Sequence, residues 1–244
     1  TEHAGVHSGD SGMITPAIYL TAQTEAKMRH LATQIAHELN IIGVLNLQMA
    51  VCGKKVYCLE ANARASRSLP FFSKAYGINL AGLATEVMMR PETSLAPFMV
   101  QAERTKYFSA KQSTFPFDRF ADNSEAQILG PKMKSTGETM GIDRLKDLAI
   151  LKAHLGNYPL LLKTKGIFMA LSDETKPMIS PYLNILSKKG FTFYATPGTH
   201  HYITSMGHEA ILVEKLGHQK EENTPTAIDI INKEKISFVI NTPY

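Results

Sequence analysis

The chain has 244 residues, enough for one or two domains. Lysine and arginine number 26 and aspartate and glutamate number 22, so the net charge is only +4, and no basic run forms the stripe typical of nucleic-acid binders. Hydrophobic residues make up 44% of the chain, which excludes a wholly disordered protein. No apolar stretch approaches the roughly 20 residues that cross a bilayer. The composition predicts a globular protein with neither a nucleic-acid nor a membrane partner.

The first residues and the cysteines indicate a reducing compartment. The opening segment, TEHAGVHSGDSG, lacks the basic and apolar regions of a signal peptide. Cys52 and Cys58 are the only cysteines, and their spacing matches no metal-ligand pattern. Because disulfide frameworks are typical of exported proteins, we expect a cytoplasmic protein.

The first part of the chain alternates helical and β-prone segments. Apolar residues at spacings of three and four predict an amphipathic helix that Thr21 or Thr24 caps and Asn40 ends. In chain order, the predicted elements are a helix over 21–40, strands over 43–51 and 56–62 joined by a polar turn, a helix beginning near Pro70 and a helix after Asn79.

The second part has a different pattern. Residues 91–143 mix proline, glycine and polar residues with little periodicity, which predicts a connector before a short helix at about 144–155. Strands and helices then alternate: strands are predicted at 166–172, 191–195, 210–213 and 236–240, with helices at about 177–189, after TPGTHH and at 225–233. This order predicts a parallel sheet covered by helices.

Polar side chains alternate along the predicted hairpin. Val44, Asn46, Gln48 and Ala50 are expected on one face of the first strand, and Val56, Cys58, Glu60 and Asn62 on one face of the second. A hairpin centred on Lys54 then places Gln48 opposite Glu60 and Asn46 opposite Asn62. Arg64 and Arg67 follow at the strand end. Oxygen ligands beside guanidinium groups suit Mg²⁺ and nucleotide phosphate.

Two alternatives remain open for this hairpin. The same alternation is typical of a solvated polar face of an antiparallel sheet. A two-residue turn would also shift the pairing by one residue and place Gln48 and Glu60 on opposite faces.

The glycine- and serine-rich segment GVHSGDS, at 5–11, forms a second local feature. Its backbone N–H groups could hold a phosphate. The alternative is an ordinary loop with a surface histidine.

Together these segments resemble one family. EHAGVHSGDS, NIIGVLNLQMAV and VYCLEANARASRSLPFFSKAYGINLA resemble the C-terminal part of an ATP-grasp domain, specifically that of the second synthetase half of the carbamoyl-phosphate synthase large-chain family. ILGPKMKSTGETMG, at 128–141, resembles that family's next signature. The resemblance covers essentially the whole chain in the same order. It implies an ATP-grasp C-terminal lobe at 1–92, a helical connector at 93–163 and an incomplete, doubly wound, methylglyoxal-synthase-like allosteric domain at 164–244.

The resemblance also implies roles for individual residues. The family's nucleotide-binding turn corresponds to Gly5, Val6, His7 and Ser8. Positions that touch both ATP and metal correspond to Gln48 and Glu60, and a further metal ligand corresponds to Asn62. The catalytic arginines on the phosphoryl and acceptor side correspond to Arg64 and Arg67. Ala63 departs from the proline that is usual in the family, but no ligand is lost by this change.

Hydroxyl and lysine residues follow the C-terminal strands. In open parallel sheets, ligands bind at the carboxyl ends of the strands, so these residues could form an anion site. The alternative is that they are ordinary turn and helix-cap residues. The resemblance implies an allosteric effector site at Lys176, Thr196, Thr199, Lys215, Asn241 and Thr242. Pro243 departs from a hydroxyl residue common there, so the effector's identity stays open.

For function, the resemblance implies phosphorylation of carbamate by ATP with Mg²⁺ or Mn²⁺, in a ligase serving pyrimidine and arginine biosynthesis. It further implies a glutaminase small subunit or domain, bicarbonate and ammonia as substrates, a nucleotide monophosphate or ornithine effector, and an oligomer. Because an ATP-grasp site closes between two lobes, we expect the chain alone to be inactive.

Two other functions compete with this interpretation. One is a non-catalytic effector-binding regulatory module. The other is a different ATP-grasp ligase, such as a biotin-dependent carboxylase, but that alternative predicts neither the STGE signature nor the terminal strand–helix module.

Overall fold

A computed structural model of the chain describes residues 6–98, 106–117, 128–157, 164–214, 224–233 and 236–242. The predicted site residues Gly5 and Lys215, together with Pro243, lie outside these ranges. The described chain forms two compact units, Thr1–Tyr158 and Pro159–Tyr244. The division of the chain into three domains, at 1–92, 93–163 and 164–244, stays a prediction.

The first unit combines a hairpin, a small sheet and four helices longer than one turn in its described part. In chain order these are β1 (Met13–Thr15), α1 (Ala22–Glu38), β2 (Asn46–Cys52), β3 (Lys55–Asn62), α2 (Ser68–Tyr76), α3 (Leu80–Met89), β4 (Phe108–Thr114), β5 (Gly137–Asp143) and α4 (Lys146–Asn157). Strands β2 and β3 form the predicted hairpin, and β1, β4 and β5 form an antiparallel sheet in the order β1-β4-β5.

Helix α1 has the predicted ends. The Thr21 hydroxyl accepts a hydrogen bond from the Thr24 backbone N–H at 3.2 Å, which satisfies one of the free donors of the first turn. Asn40 has a φ of 49°, in the left-handed region that Asn tolerates after a helix. Met28 and Ile35, on the predicted apolar face, are half-buried.

Strands β4 and β5 correct the prediction that residues 91–143 form a connector. The buried residues of β4 are Ser109, Ala110, Lys111 and Ser113, so its inward face is small or polar and shows no apolar alternation. On β5, a side chain at Gly141 would lie 2.0 Å from the Ala149 carbonyl oxygen. Helix α4 thus packs on this sheet at a distance that only glycine allows.

The second unit is the predicted parallel sheet with helices. Its elements are β6 (Gly166–Ala170), α5 (Lys176–Lys188), β7 (Thr192–Ala195), α6 (Pro197–Ser205), β8 (Ile211–Leu212), α7 (Ala227–Asn232) and β9 (Ile236–Asn241). The strands are all parallel, in the order β8-β7-β6-β9. One buried cluster contains Met169 and Leu183, and a second contains Phe168 and Ile230, so both faces of the sheet carry a core.

The mixed α/β class, with an antiparallel part followed by a parallel sheet, is therefore confirmed. Across the described ranges, we find no helix with the length and apolar character needed to span a bilayer.

Candidate functional site

The β2–β3 hairpin pairs the predicted polar residues. Gln48 lies opposite Glu60, and Asn46 lies opposite Asn62. Directly opposed residues in an antiparallel pair have Cβ atoms about 5 Å apart and share a face. A carboxylate and three amide side chains are therefore brought together on one surface.

A β-bulge makes this pairing possible. The turn contains only two residues, Gly53 and Lys54, so the pairing next to it follows the alternative register, with Met49 opposite Cys58. The register then shifts, leaving Leu59 as the extra residue. Cys58 consequently lies on the Met49 side of the hairpin, which corrects the prediction that Val56, Cys58, Glu60 and Asn62 share a face.

One cavity of the first unit contains most of the predicted ATP-site residues. Its lining includes Gln48, Glu60, Asn62, Arg64 and Arg67 from the hairpin and its exit, and His7, Ser8 and Gly9 from the glycine-rich turn. Val6 precedes this turn and is not among the lining residues. The structure thus brings the two local sequence features to one place.

Hydrogen bonds hold the glycine-rich turn in shape. The Nδ1 atom of His7 accepts from the Gly9 backbone N–H at 3.0 Å. The Gly9 carbonyl accepts from the Ser113 hydroxyl at 2.9 Å and from the Ser135 hydroxyl at 3.1 Å. A Cβ atom at Gly9 would lie 2.8 Å from the Met133 sulfur, so a larger residue here would have to displace the flexible Met133 side chain.

Asp10 is a structural residue beside the site that the sequence analysis missed. It is 2% exposed, and its two carboxylate oxygens accept from the backbone N–H groups of Lys134 at 2.8 Å and Ser135 at 2.9 Å. Burial opposes ionisation, but hydrogen bonds from Ser135 and Lys134 and the nearby His7 outweigh it and hold the pKa of Asp10 below its ordinary value. Asp10 therefore joins the turn to the STGE signature.

The two predicted arginines have different surroundings. Arg67 donates from Nη1 to the Ser135 hydroxyl at 3.0 Å and to the Ser135 carbonyl at 3.3 Å. Arg64 is exposed and donates to the Ala65 carbonyl at 3.1 Å. Arg67 is thus fixed against the same segment that Asp10 holds, while within the described ranges the Arg64 guanidinium donates to its own loop.

A second missed residue, Lys111, lies in the lining of this cavity. Its side chain is 1% exposed, and Nζ lies 3.5 Å from Oε2 of Glu138, a buried oxygen without a hydrogen-bond partner in the described structure. Lys111 belongs to the segment predicted as a connector, so no motif indicated it. Its ammonium group is paired with the Glu138 carboxylate, so the two charges largely offset each other at the edge of the cavity.

The donor chemistry fits a divalent cation that prefers oxygen ligands. Gln48, Glu60 and Asn62 offer carboxylate and amide oxygens from paired strands, and such oxygens suit Mg²⁺ or Mn²⁺. Within the described ranges no group of three His, Cys, Asp or Glu side chains could hold a metal. The cluster fits a cation whose remaining ligands come from nucleotide phosphates and water.

Hydroxyl groups collect at the carboxyl ends of the second unit's strands. The Thr199 hydroxyl accepts from the Leu171 backbone N–H at 2.9 Å and lies 3.4 Å from that of Thr196. The Thr242 hydroxyl accepts from the Ser172 N–H at 2.8 Å and lies 2.7 Å from that of Thr175. Strands β6 and β9 are neighbours at the point where the strand order reverses, where open α/β sheets bind ligands.

Lys176 and the start of α6 add positive charge to this crevice. A Cβ atom at Gly198 would lie 3.3 Å from Lys176 Nζ, so the ammonium group lies against the first turn of α6. Lys176 Nζ also pairs with Asp173 at 2.5 Å. Asn241 ends β9 and is exposed. Because four of these residues are among those to which the resemblance assigns an effector role, we use the name effector crevice for Ser172, Thr175, Lys176, Thr196, Thr199 and Thr242.

Comparison with known proteins finds two family models along the chain. The family model described as "Carbamoyl-phosphate synthase L chain, ATP binding domain" matches residues 2–91, and the "MGS-like domain" model matches residues 179–244. The chain is similar to carbamoyl phosphate synthase large chains of Myxococcus xanthus, with 37% identity over 243 residues, and of Methanoculleus marisnigri, with 39% identity over 242 residues.

These alignments cover 100% and 99% of the chain but 22% of each relative. The chain also matches the carbamoyl phosphate synthase large chain, C-terminal section, of Aquifex aeolicus with 38% identity, covering 99% of the chain and 47% of that relative. It thus spans less than half the length of the relatives it matches. Along its whole length, and in the order of its two matched domains, this chain is similar to carbamoyl phosphate synthase large chains.

Proposed function

We propose that this chain contributes part of the site in which ATP phosphorylates carbamate to carbamoyl phosphate, in a carbon–nitrogen ligase. The observation that supports this most directly is the single cavity lined by the Gln48–Glu60 pair, Arg64, Arg67 and the glycine-rich turn. Phosphoryl transfer needs alignment and charge neutralisation more than covalent help from the protein. These residue types provide both.

In the proposed reaction, a carbamate oxygen attacks the γ-phosphorus of ATP. The new bond joins carbamate to phosphorus, the bond between γ-phosphorus and the bridging oxygen breaks, and ADP leaves with that electron pair. Magnesium or manganese bound with the nucleotide would neutralise phosphate charge. The side chains of Gln48, Glu60 and Asn62 would hold the cation.

The remaining cavity residues orient and stabilise the reacting groups. The backbone of the turn at His7 and Ser8 would bind nucleotide phosphate. Arg67, held by Ser135, would stabilise the charge that spreads over the transferred phosphoryl group, and Arg64 would orient carbamate. We further propose bicarbonate and ammonia as the source of carbamate, a glutaminase subunit or domain as partner, an oligomeric assembly and a cytoplasmic location.

The chain alone is expected to show no turnover, because the proposed site closes between this lobe and an upstream lobe. Synthesis of ATP from ADP and carbamoyl phosphate isolates the carbamate step and is the assay of choice. Activity should appear only when the chain is part of a large chain that supplies the upstream lobe. ATP synthesis by the 244-residue chain itself would contradict the proposal.

We also propose that the effector crevice binds a nucleoside monophosphate through its phosphate group. An ammonium group, a helix N-terminus and clustered hydroxyls form a suitable environment for a dianion. Ornithine is a second candidate effector of the complete enzyme, on the basis of the resemblance alone.

Replacing Lys176 with glutamine is expected to weaken nucleoside monophosphate binding roughly tenfold, because one charge-assisted contact is worth about 1.4 kcal/mol or more. Calorimetric titration of the chain measures the change. Lys188→Gln, at the other end of the same helix, is the matched control and should leave affinity unchanged. Equal affinities for the wild type and Lys176→Gln would exclude Lys176 from the site. Thr199→Ala is a poorer test because it also removes the partner of the buried Leu171 N–H.

A further inference from the structure

We propose that Asp173 is a built-in competitor for the effector: its carboxylate occupies Lys176 in the free protein, and an incoming phosphate must displace it. This inference rests on the proposed effector crevice. It concerns a residue to which neither the sequence analysis nor the family resemblance gives a role.

The side chains of Lys176 and Asp173 differ greatly in solvent exposure. The side chain of Lys176 is 14% exposed, whereas that of Asp173 is 88% exposed, although Nζ and Oδ1 are 2.5 Å apart. Lys176 is thus held by its surroundings, while Asp173 reaches it from solvent. An exposed carboxylate can be released without opening the core, so the contact can exchange readily for another anion.

The position of Lys176 explains why it needs a counter-charge. Its ammonium group lies against Gly198, at the N1–N2 turn of α6, where backbone N–H groups already carry partial positive charge. The Thr196 side chain caps none of these N–H groups. Two positive groups therefore face each other, and within the described structure Asp173 is the only acidic side chain paired with Lys176.

The electrostatics of Asp173 agree with this arrangement. The hydrogen bond from Lys176 and then its charge lower the pKa of Asp173 from its ordinary value, so Asp173 is ionised at neutral pH. Because the two residues are three positions apart in the chain, the carboxylate is always available to Lys176. A phosphate ligand must therefore displace the Asp173 carboxylate from Lys176, which raises the phosphate concentration needed to saturate the effector crevice.

Asp173→Asn is expected to tighten binding by roughly two- to fivefold at low salt, since an exposed ion pair is modest in energy. The probes are inorganic phosphate and a nucleoside 5′-monophosphate, titrated into the full chain by calorimetry and by NMR of the Gly198 and Thr199 amides. The gain should shrink at high ionic strength, because salt screens the exposed carboxylate.

Glu174→Gln is the matched control. It removes one negative charge from the neighbouring exposed side chain, which also precedes α5. Any effect of net charge, or of a carboxylate near the start of α5, should therefore be the same in both variants. Tighter binding by Asp173→Asn together with unchanged binding by Glu174→Gln supports the competitor role. Equal tightening by both variants, or less than a twofold change for Asp173→Asn, would overturn it.

The same titrations separate this inference from the proposed function. If the wild type binds phosphate at the crevice amides and Asp173→Asn binds equally well, the effector crevice stands and the competitor role fails. If neither protein shifts the Gly198 and Thr199 amides at any phosphate concentration, both proposals fail. A second readout is the Asp173 carboxyl carbon, whose titration midpoint should rise when phosphate saturates the site.

Discussion

Replacing Glu60 with glutamine in the complete large chain is expected to lower carbamoyl-phosphate formation at least a hundredfold. The substitution keeps the shape of the side chain and its pairing with Gln48 but removes the carboxylate from the oxygen cluster. A loss of this order is typical when a charged group that stabilises the transition state is removed. The measurement is the rate of ATP synthesis from ADP and carbamoyl phosphate at saturating Mg²⁺.

Two controls sharpen the Glu60 result. Lys55→Gln changes a charge at the exposed tip of the same hairpin and should leave the rate unchanged. Nucleoside monophosphate binding at the effector crevice should also be unaffected by Glu60→Gln. A Glu60→Gln enzyme with the wild-type rate would remove Glu60 from the proposed site.

Asp10→Ala is expected to destabilise the first unit by roughly 2–4 kcal/mol, because one buried and one part-buried backbone N–H group lose a charged acceptor and each unsatisfied group costs about 1–3 kcal/mol. The affected N–H groups are those of Lys134 and Ser135. Amide hydrogen exchange at these two positions should accelerate most, with urea unfolding of the chain as the second measurement. Unchanged exchange at both amides would contradict this role of Asp10.

The effect of Asp10 also depends on pH. Since the folded-state pKa lies below the ordinary value of 3.8, the ionised carboxylate stabilises the fold above that value. The stabilisation is lost as the pH falls through the folded-state pKa. The difference in unfolding free energy between the wild type and Asp10→Asn should therefore be largest from pH 5 to 7 and shrink below about pH 4. Asp147→Asn, which removes one carboxylate from an exposed position on α4, is the control for the change in net charge.

The sequence allowed much of the fold and the main polar pairs to be predicted. Alternating side chains indicated the hairpin, and strands alternating with helices indicated the parallel sheet, because both patterns depend on local periodicity. Thr21 and Asn40 were predicted correctly as helix ends for the same reason, since capping depends on neighbouring residues.

The rest depends on contacts that are distant in sequence. Asp10 acts on amides more than a hundred positions away, so no spacing rule could indicate it. Strand β4 was missed because Ser109, Lys111 and Ser113 are buried where apolar residues are expected. The pairing of Gln48 with Glu60 was predicted correctly, but from a turn that the structure lacks: a two-residue turn and a bulge compensate for each other.

Leu59 is the extra residue of β3 that brings Glu60 into line with Gln48 after the two-residue turn, and this alignment does not depend on its side chain. It is half exposed, at 52%, and its identity can vary without loss of a core contact. A regular ladder that kept all of these residues would pair Leu59 with Gln48 and turn Glu60 to the opposite face, although every side chain implicated in chemistry would still be in the polypeptide. The oxygen cluster therefore depends on the irregularity of this ladder as well as on the residues that form it.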